Sequence, residues 1–234
     1  MKIGLAPYKF KNNDIAFNLS QIEKAMQSTQ GKADLLCFGE TFLQGFDALS
    51  WDFEKDKDIA VSVGSPIMLQ LCELTLRYGV DLLLGYLERD GDSIYSSCVV
   101  LVQGKIAHNY RRISKGWKEP IADGHYREGN DTREFLYRGR QFQIALCGDL
   151  WDFPERFQTG HVLIWPIYVN FSWEDWAQYE QEYAAQAQLA ARRTLLVNSI
   201  SDDPIAHGGA FCFVDGCIEK RIDYDQEEIL IVEV

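Results

Sequence analysis

Cys147 closes the apolar run Ile144-Ala145-Leu146 and is followed at once by Gly148 and Asp149, with Leu150-Trp151 beyond. Apolar residues ending in a thiol, then a glycine and an acid, describe a buried strand that stops at a corner and lifts a nucleophile clear of the sheet. Glycine at the next position lets a backbone N–H approach a reacting carbonyl. Buried cysteines at strand ends are more commonly small hydrophobes, so the reading needs a second group. Glu40 supplies one. Ala33 to Phe38 reads as another buried strand, and Gly39-Glu40-Thr41-Phe42 ends it with a carboxylate set among Phe38, Phe42 and Leu43. A glutamate at the end of a buried strand is the second place to look for chemistry. His108, His125, His161 and His207 fall in no triad or ligand spacing.

The flanking elements must bring those two strand ends together. Residues 2–8 read as a first strand. Asn12-Asn13-Asp14 offers N-cap candidates for a helix whose Ile15, Leu19, Ile22 and Met26 recur at helical spacing. Residues 45–63 form an irregular, aromatic-bearing connection. Ser65-Pro66 opens a helix that Gly79 closes. Val80 to Leu87 and Ile94 to Val102 then predict a hairpin turned at 89–92, followed by a strand from Lys105 to Arg112. Residues 113–133 are polar, aromatic and glycine-bearing without a clean period, a long loop of the kind that is usually functional or disordered. Strands at 135–137 and 141–146 deliver Cys147, a buried strand at 161–165 follows, and residues 173–193 read as a long helix. Strands at 194–198, 208–214, 217–223 and 228–232 close the chain, the last three as a meander. Alternating strands and helices followed by hairpins predict an α/β layered sandwich with mixed sheets.

The 234 residues, 47% hydrophobic and 25% charged, suit one globular domain spanning 1–234. A formal net charge of −12 argues against nucleic acid or an anionic membrane surface as partner, since both require clustered Lys and Arg. A small molecule is the expected partner. No apolar run is long enough for a membrane span, and the first residues read as a strand rather than a secretion signal. The six cysteines are scattered singly, without a CxxC pair or a zinc spacing, which points to reduced thiols in a cytoplasm and no structural metal.

With Glu40 and Cys147 in place, the order of features resembles the nitrilase superfamily of carbon–nitrogen hydrolases. Leu35 to Asp47, with Gly39-Glu40-Thr41-Phe42 at its centre, is similar to the motif that carries the family's general base. Gly104-Lys105-Ile106 through Tyr110-Arg111-Arg112 resembles the approach to the catalytic lysine, and Leu146 to Trp151 with Phe153-Pro154-Glu155 resembles the nucleophile motif. Trp165-Pro166, Ala190-Ala191-Arg192 with Asn198, and Gly208-Gly209 match later landmarks, so the likeness runs over roughly residues 2 to 232. Two positions depart from the pattern. The ungapped lysine position holds Arg112, and the nucleophile motif carries one residue more than usual between Cys147 and Pro154.

The resemblance implies a four-layer α-β-β-α sandwich of two mixed sheets with outer helices. It also implies hydrolysis of a small linear amide through a cysteine thioester, without metal or cofactor. Cys147 would be the nucleophile and Glu40 the base. Glu119 would be the family's second glutamate, which orients the lysine, and Gly148 would offer an oxyanion N–H. Three residues compete for the cationic position: Lys118, set between Trp117 and Glu119, then Lys115, then Arg112. Trp117, Tyr126, Trp151, Trp173 and Trp176 are candidate pocket walls. A homodimer is expected. Arg112 also motivates a second expectation, a protein of the same fold that binds a small molecule or partner without turnover.

Overall fold

The computed structural model describes residues 1–234. In chain order the elements are β1 (Lys2–Leu5), α1 (Ile15–Thr29), β2 (Leu35–Cys37), α2 (Phe53–Asp56), α3 (Pro66–Tyr78), β3 (Asp81–Asp90), β4 (Ser93–Val102) and β5 (Lys105–Arg111). There follow β6 (Phe135–Tyr137), β7 (Arg140–Ile144), α4 (Asp149–Asp152), a 3-10 turn (Pro154–Phe157), β8 (Thr159–Ile167), α5 (Trp173–Ala190), β9 (Ala191–Asp202), β10 (Ile205–Val214), β11 (Cys217–Ile222) and β12 (Leu230–Glu233).

The local signals act where the side chains suggest. Asp14 caps α1 by accepting from the Phe17 N–H at 3.0 Å. Ser65 caps α3 ahead of Pro66, and Gly79 ends it at φ +63°. One sheet has the order β12-β1-β2-β3-β4-β5, the other β11-β10-β9-β8-β7-β6. In each, three parallel strands (β1, β2, β3 and β7, β8, β9) continue into an antiparallel meander.

Period-2 alternation sorts the strands between two cores. Leu35, Cys37, Leu83, Cys98 and Val100 join a core cluster with Leu146, Ile164, Leu195 and Val197 of the second sheet. Leu36, Leu82, Leu84, Val99 and Leu101 point the other way, into a cluster with Ile22 and Met26 of α1 and with Met68 and Leu71 of α3. On the far side, α5 lays Trp176, Tyr183, Ala184 and Ala187 on the second sheet, with Tyr183 stacked 5.2 Å from Trp165. The result is the four-layer α-β-β-α sandwich.

Two expectations need correction. The last strand does not extend the meander. β12 crosses to pair antiparallel with β1, where it closes a row of backbone groups that would otherwise form an open sheet edge. The helix expected over 173–193 ends at Ala190, and β9 starts at Ala191 and runs to Asp202, longer than the strand read from its apolar centre.

Candidate active site

β2 and β7 carry their chemistry just past their C-terminal ends, and the face-to-face packing of the sheets brings those ends together. The corner after β7 is held from several directions. The Cys147 N–H donates to the Pro166 carbonyl at 3.0 Å, the indole N–H of Trp165 donates to the Cys147 carbonyl at 2.9 Å, and the Asp149 N–H donates to the Leu146 carbonyl at 2.9 Å. Cys147 itself has φ +41°, a left-handed conformation that costs a non-glycine residue about 1–3 kcal/mol and persists only where the surroundings enforce it. The sulfur lies 3.7 Å from the Tyr168 carbonyl.

Glu40 is fully buried on the opposite sheet. Its N–H donates to the Ile167 carbonyl at the end of β8, which ties the turn after β2 to the second sheet. β3 must pass very close beneath this turn. A Cβ at Gly85 would stand 2.3 Å from the Gly39 carbonyl oxygen and 2.7 Å from the Glu40 Cα, so only glycine fits. The carboxylate accepts from Ser96 Oγ at 2.7 Å and from Arg112 Nη1 at 2.9 Å, both at Oε1. Oε2 is buried and has no hydrogen-bond partner.

Arg112 stands one residue past β5 and is itself buried. Its Nε donates to Ser114 Oγ at 2.7 Å, and its backbone N–H donates to the Ser96 carbonyl. Asp149, wholly buried at the start of α4, joins this segment to the Cys147 corner. Oδ1 accepts the Ile113 and Ser114 N–H groups at 3.0 and 2.8 Å, while Oδ2 accepts the Leu146 N–H at 2.8 Å and the Tyr110 hydroxyl.

The electrostatics follow from this crowding. Burial, reinforced by the Glu40 charge and opposed by Arg112, pushes the Cys147 thiol up to about 12, so at neutral pH it rests as a protonated thiol. Burial works against the Arg112 charge, yet Glu40, Cys147 and Asp149 hold its pKa above the ordinary guanidinium value. Burial also raises Asp149, opposed by Arg112 and by its hydrogen bonds. The Glu40 carboxylate lies close enough to the thiol for its charge to raise the thiol pKa. A neutral thiol beside a buried carboxylate with one free oxygen, and a fixed cation behind that carboxylate, can exchange a proton and stabilise developing negative charge. No group of three or more His, Cys, Asp or Glu side chains comes together in a metal-holding arrangement.

The other candidates from the sequence lie elsewhere. Lys118 pairs with Glu128 and donates to the Tyr126 carbonyl, so its ammonium is committed within its own loop and does not meet Glu40 or Cys147. Lys115 is exposed, as is Glu119, whose charge acts on Asp47. Trp117 and Tyr126 are buried with Ala48, Leu49, Leu87 and Ile94 in a small core beneath the long loop, where the Tyr126 hydroxyl donates to Asp56 at 2.6 Å. Trp151 is 40% exposed and packs on Trp165 and Tyr183. Trp173 lies exposed against His207 and Tyr224, and Trp176 is buried under α5. Cys217 is exposed where β11 begins.

Sequence reasoning missed Ser96, Ser114 and the role of Asp149. Asp149, two residues after the thiol, carried a signal: an acid amid Leu146, Leu150 and Trp151 must be paired if buried. The serines carried none. A cavity of about 580 Å³ opens at the opposite ends of β7, β8 and β9, lined by Arg140, His161, Arg192 and Arg193 among others, away from the thiol and its carboxylate.

Comparisons with known proteins bear on the family and the fold. The profile of the family described as carbon-nitrogen hydrolase matches residues 2–192. An (R)-stereoselective amidase from Pseudomonas sp. is 28% identical over 222 residues, which is 92% of this chain and 77% of that protein. A nitrilase from Meyerozyma guilliermondii is 25% identical over 127 residues, 49% of this chain and 40% of that one. Among solved structures, a CN-hydrolase superfamily protein from Xanthomonas campestris with an arsenic adduct in its active site superposes with a TM-score of 0.82. It is 16% identical, and the match covers 99% of this chain and 89% of that one. An amidase from Nesterenkonia sp. AN1, in a mutant form whose active-site cysteine has added acrylamide, gives a TM-score of 0.79 at 16% identity, covering 100% and 93%.

Proposed function

The chain belongs to the carbon–nitrogen hydrolase family, and on that premise we propose that it hydrolyses a small linear amide through a thioester on Cys147, with Glu40 as base and acid and Arg112 as the site cation. One observation carries the reading: Glu40 is clamped at Oε1 by Arg112 and Ser96, its Oε2 is left without a partner, and its charge bears on the Cys147 thiol.

The thiol rests protonated, so its proton must leave as the sulfur attacks. Glu40 takes that proton while the C–S bond forms and the carbonyl oxygen becomes an oxyanion. The Gly148 N–H and the Arg112 guanidinium answer that charge. The oxyanion collapses, the C–N bond breaks, and the departing amine receives the proton from Glu40. Water then attacks the thioester, gives a proton to Glu40, and the C–S bond breaks as the sulfur regains a proton. A guanidinium does not lose its proton in this range, so every proton transfer falls to Glu40. In this reading the enzyme needs no metal or cofactor and works as a cytoplasmic homodimer.

The amidase from Pseudomonas sp. supports an amide as substrate. The test is ammonia release from a panel of amides, nitriles and N-carbamoyl compounds. Release from at least one small amide, abolished in Cys147→Ala, is the expected result. The presence of Arg112 favours a second reading, ligand binding without turnover. No release from any compound, together with calorimetric binding of an amide, would put that reading first.

A further inference from the structure

Gly148 and Gly116 stand where nothing in the backbone asks for glycine. Gly148 has φ −63° and ψ −9°, ordinary right-handed values, and Gly116 also lies outside the left-handed region. Alanine would fit either conformation. What both positions lack is room. A Cβ at 148 would come within 2.6 Å of Arg112 Nη2 and 3.1 Å of Ser114 Oγ, and a Cβ at 116 would come within 3.2 Å of the same Nη2.

The guanidinium explains the need. Its Nε is spent on Ser114 and its Nη1 on Glu40, which fixes the plane of the fork and leaves Nη2 projecting over the residue that follows the nucleophile. Neither Nη2 nor the Gly148 N–H donates to any protein acceptor. Two unspent donors therefore lie side by side next to Cys147.

The geometry points to Gly148 as a positioning residue that, with Gly116 as a lesser wall, forms a notch seating an arginine between the base and the nucleophile. Arg112 and Gly148 are thus one coupled device. The glycine admits the fork, and the fork's free edge joins the Gly148 N–H as the second oxyanion donor. This rests on Arg112 being the site cation. It adds that the arginine works only because position 148 has no side chain, and that a shorter, unforked cation would not need the glycine.

The test is a double-mutant cycle of Gly148→Ala and Arg112→Lys in the full-length chain. It is read by the rate of Cys147 alkylation with iodoacetamide, followed site by site by mass spectrometry across pH, and by amide turnover. With arginine present, Gly148→Ala should slow Cys147 alkylation about tenfold or more and move its pH profile upward, because Nη2 is forced off and Glu40 loses its clamp. With Arg112→Lys present, the same alanine should cost less than about threefold, a coupling well above additive scatter. Gly116→Ala, with its looser contact, should cost less than Gly148→Ala.

Equal penalties for Gly148→Ala in both backgrounds would overturn the proposal. If Gly148→Ala fails to fold, a folded Gly148→Ala/Arg112→Lys double variant supports the notch and an unfolded one overturns it. The alkylation cycle reads the notch even if no amide is turned over, so failure of the hydrolase reading and failure of the notch are separate results.

Discussion

Arg112 Nη1 lies 2.9 Å from Glu40 Oε1, and both side chains are closed off from water. Such a pair is weak evidence for stability as it stands, because burying two charges offsets most of their attraction, but removing one partner strands the other. Arg112→Ala should therefore lower unfolding stability in urea by about 3–5 kcal/mol and abolish turnover. Arg112→Lys keeps a charge near Glu40 and should retain most of the stability. If Arg112→Ala unfolds at the wild-type midpoint, the pair is not the buried contact described.

Cys147→Ala should eliminate ammonia release while leaving the unfolding midpoint almost unchanged, since alanine accepts the same left-handed backbone as poorly as cysteine and little volume is lost. Residual turnover above the uncatalysed rate would remove Cys147 from the mechanism.

The alkaline side of the pH dependence follows from the raised thiol. Burial, with the Glu40 charge, lifts Cys147 from 9.0 to about 12, so the folded state holds that proton to higher pH than the unfolded chain does. The stability linked to it is whole below 9.0 and is lost as pH climbs through about 12. Alkylation of Cys147 should accordingly keep rising with pH toward about 12. A plateau near 9.0 would contradict the buried setting.

Asp149 receives four donors and is the bolt between the Arg112 segment and the Cys147 corner. Asp149→Ala leaves the Ile113, Ser114 and Leu146 N–H groups without an acceptor, each costing roughly 1–3 kcal/mol. Loss of cooperative folding, or a folded protein with turnover reduced at least about a hundredfold, is expected, since misplaced catalytic groups cost that much. Wild-type activity in Asp149→Ala would show that the two segments are held by something else.

Lys118 offers a control. Its ammonium is held by Glu128 and the Tyr126 carbonyl, so Lys118→Ala should change turnover less than about threefold, the scale of a partly exposed ion pair. A loss comparable to that of Arg112→Ala would return the cationic role to Lys118.

The sequence by itself picked out Cys147 and Glu40, which the fold brings together, and much of the frame that holds them. Cys147 and Glu40 could be read because each ends an apolar run, and such a run ends where a buried strand emerges. The caps at Asp14 and Ser65 and the hairpin at 89–92 could be read because they are local, satisfied within a few residues. Tertiary structure alone decided which cation meets Glu40. Arg112, Lys115 and Lys118 are neighbours in sequence, and the choice among them depends on where β5 stops, on Asp149 reaching across to hold residues 113 and 114, and on Glu128 drawing Lys118 away. It also decided that β12 leaves the meander for the edge of β1, a pairing between the two ends of the chain that no window of sequence contains. Ser96, Ser114 and the space at Gly148 belong to the same class. Ser96 reaches Glu40 across strands of one sheet, Ser114 holds Arg112 from two residues away, and Gly148 meets Arg112 from the other sheet, and these contacts exist only once the strands have assembled.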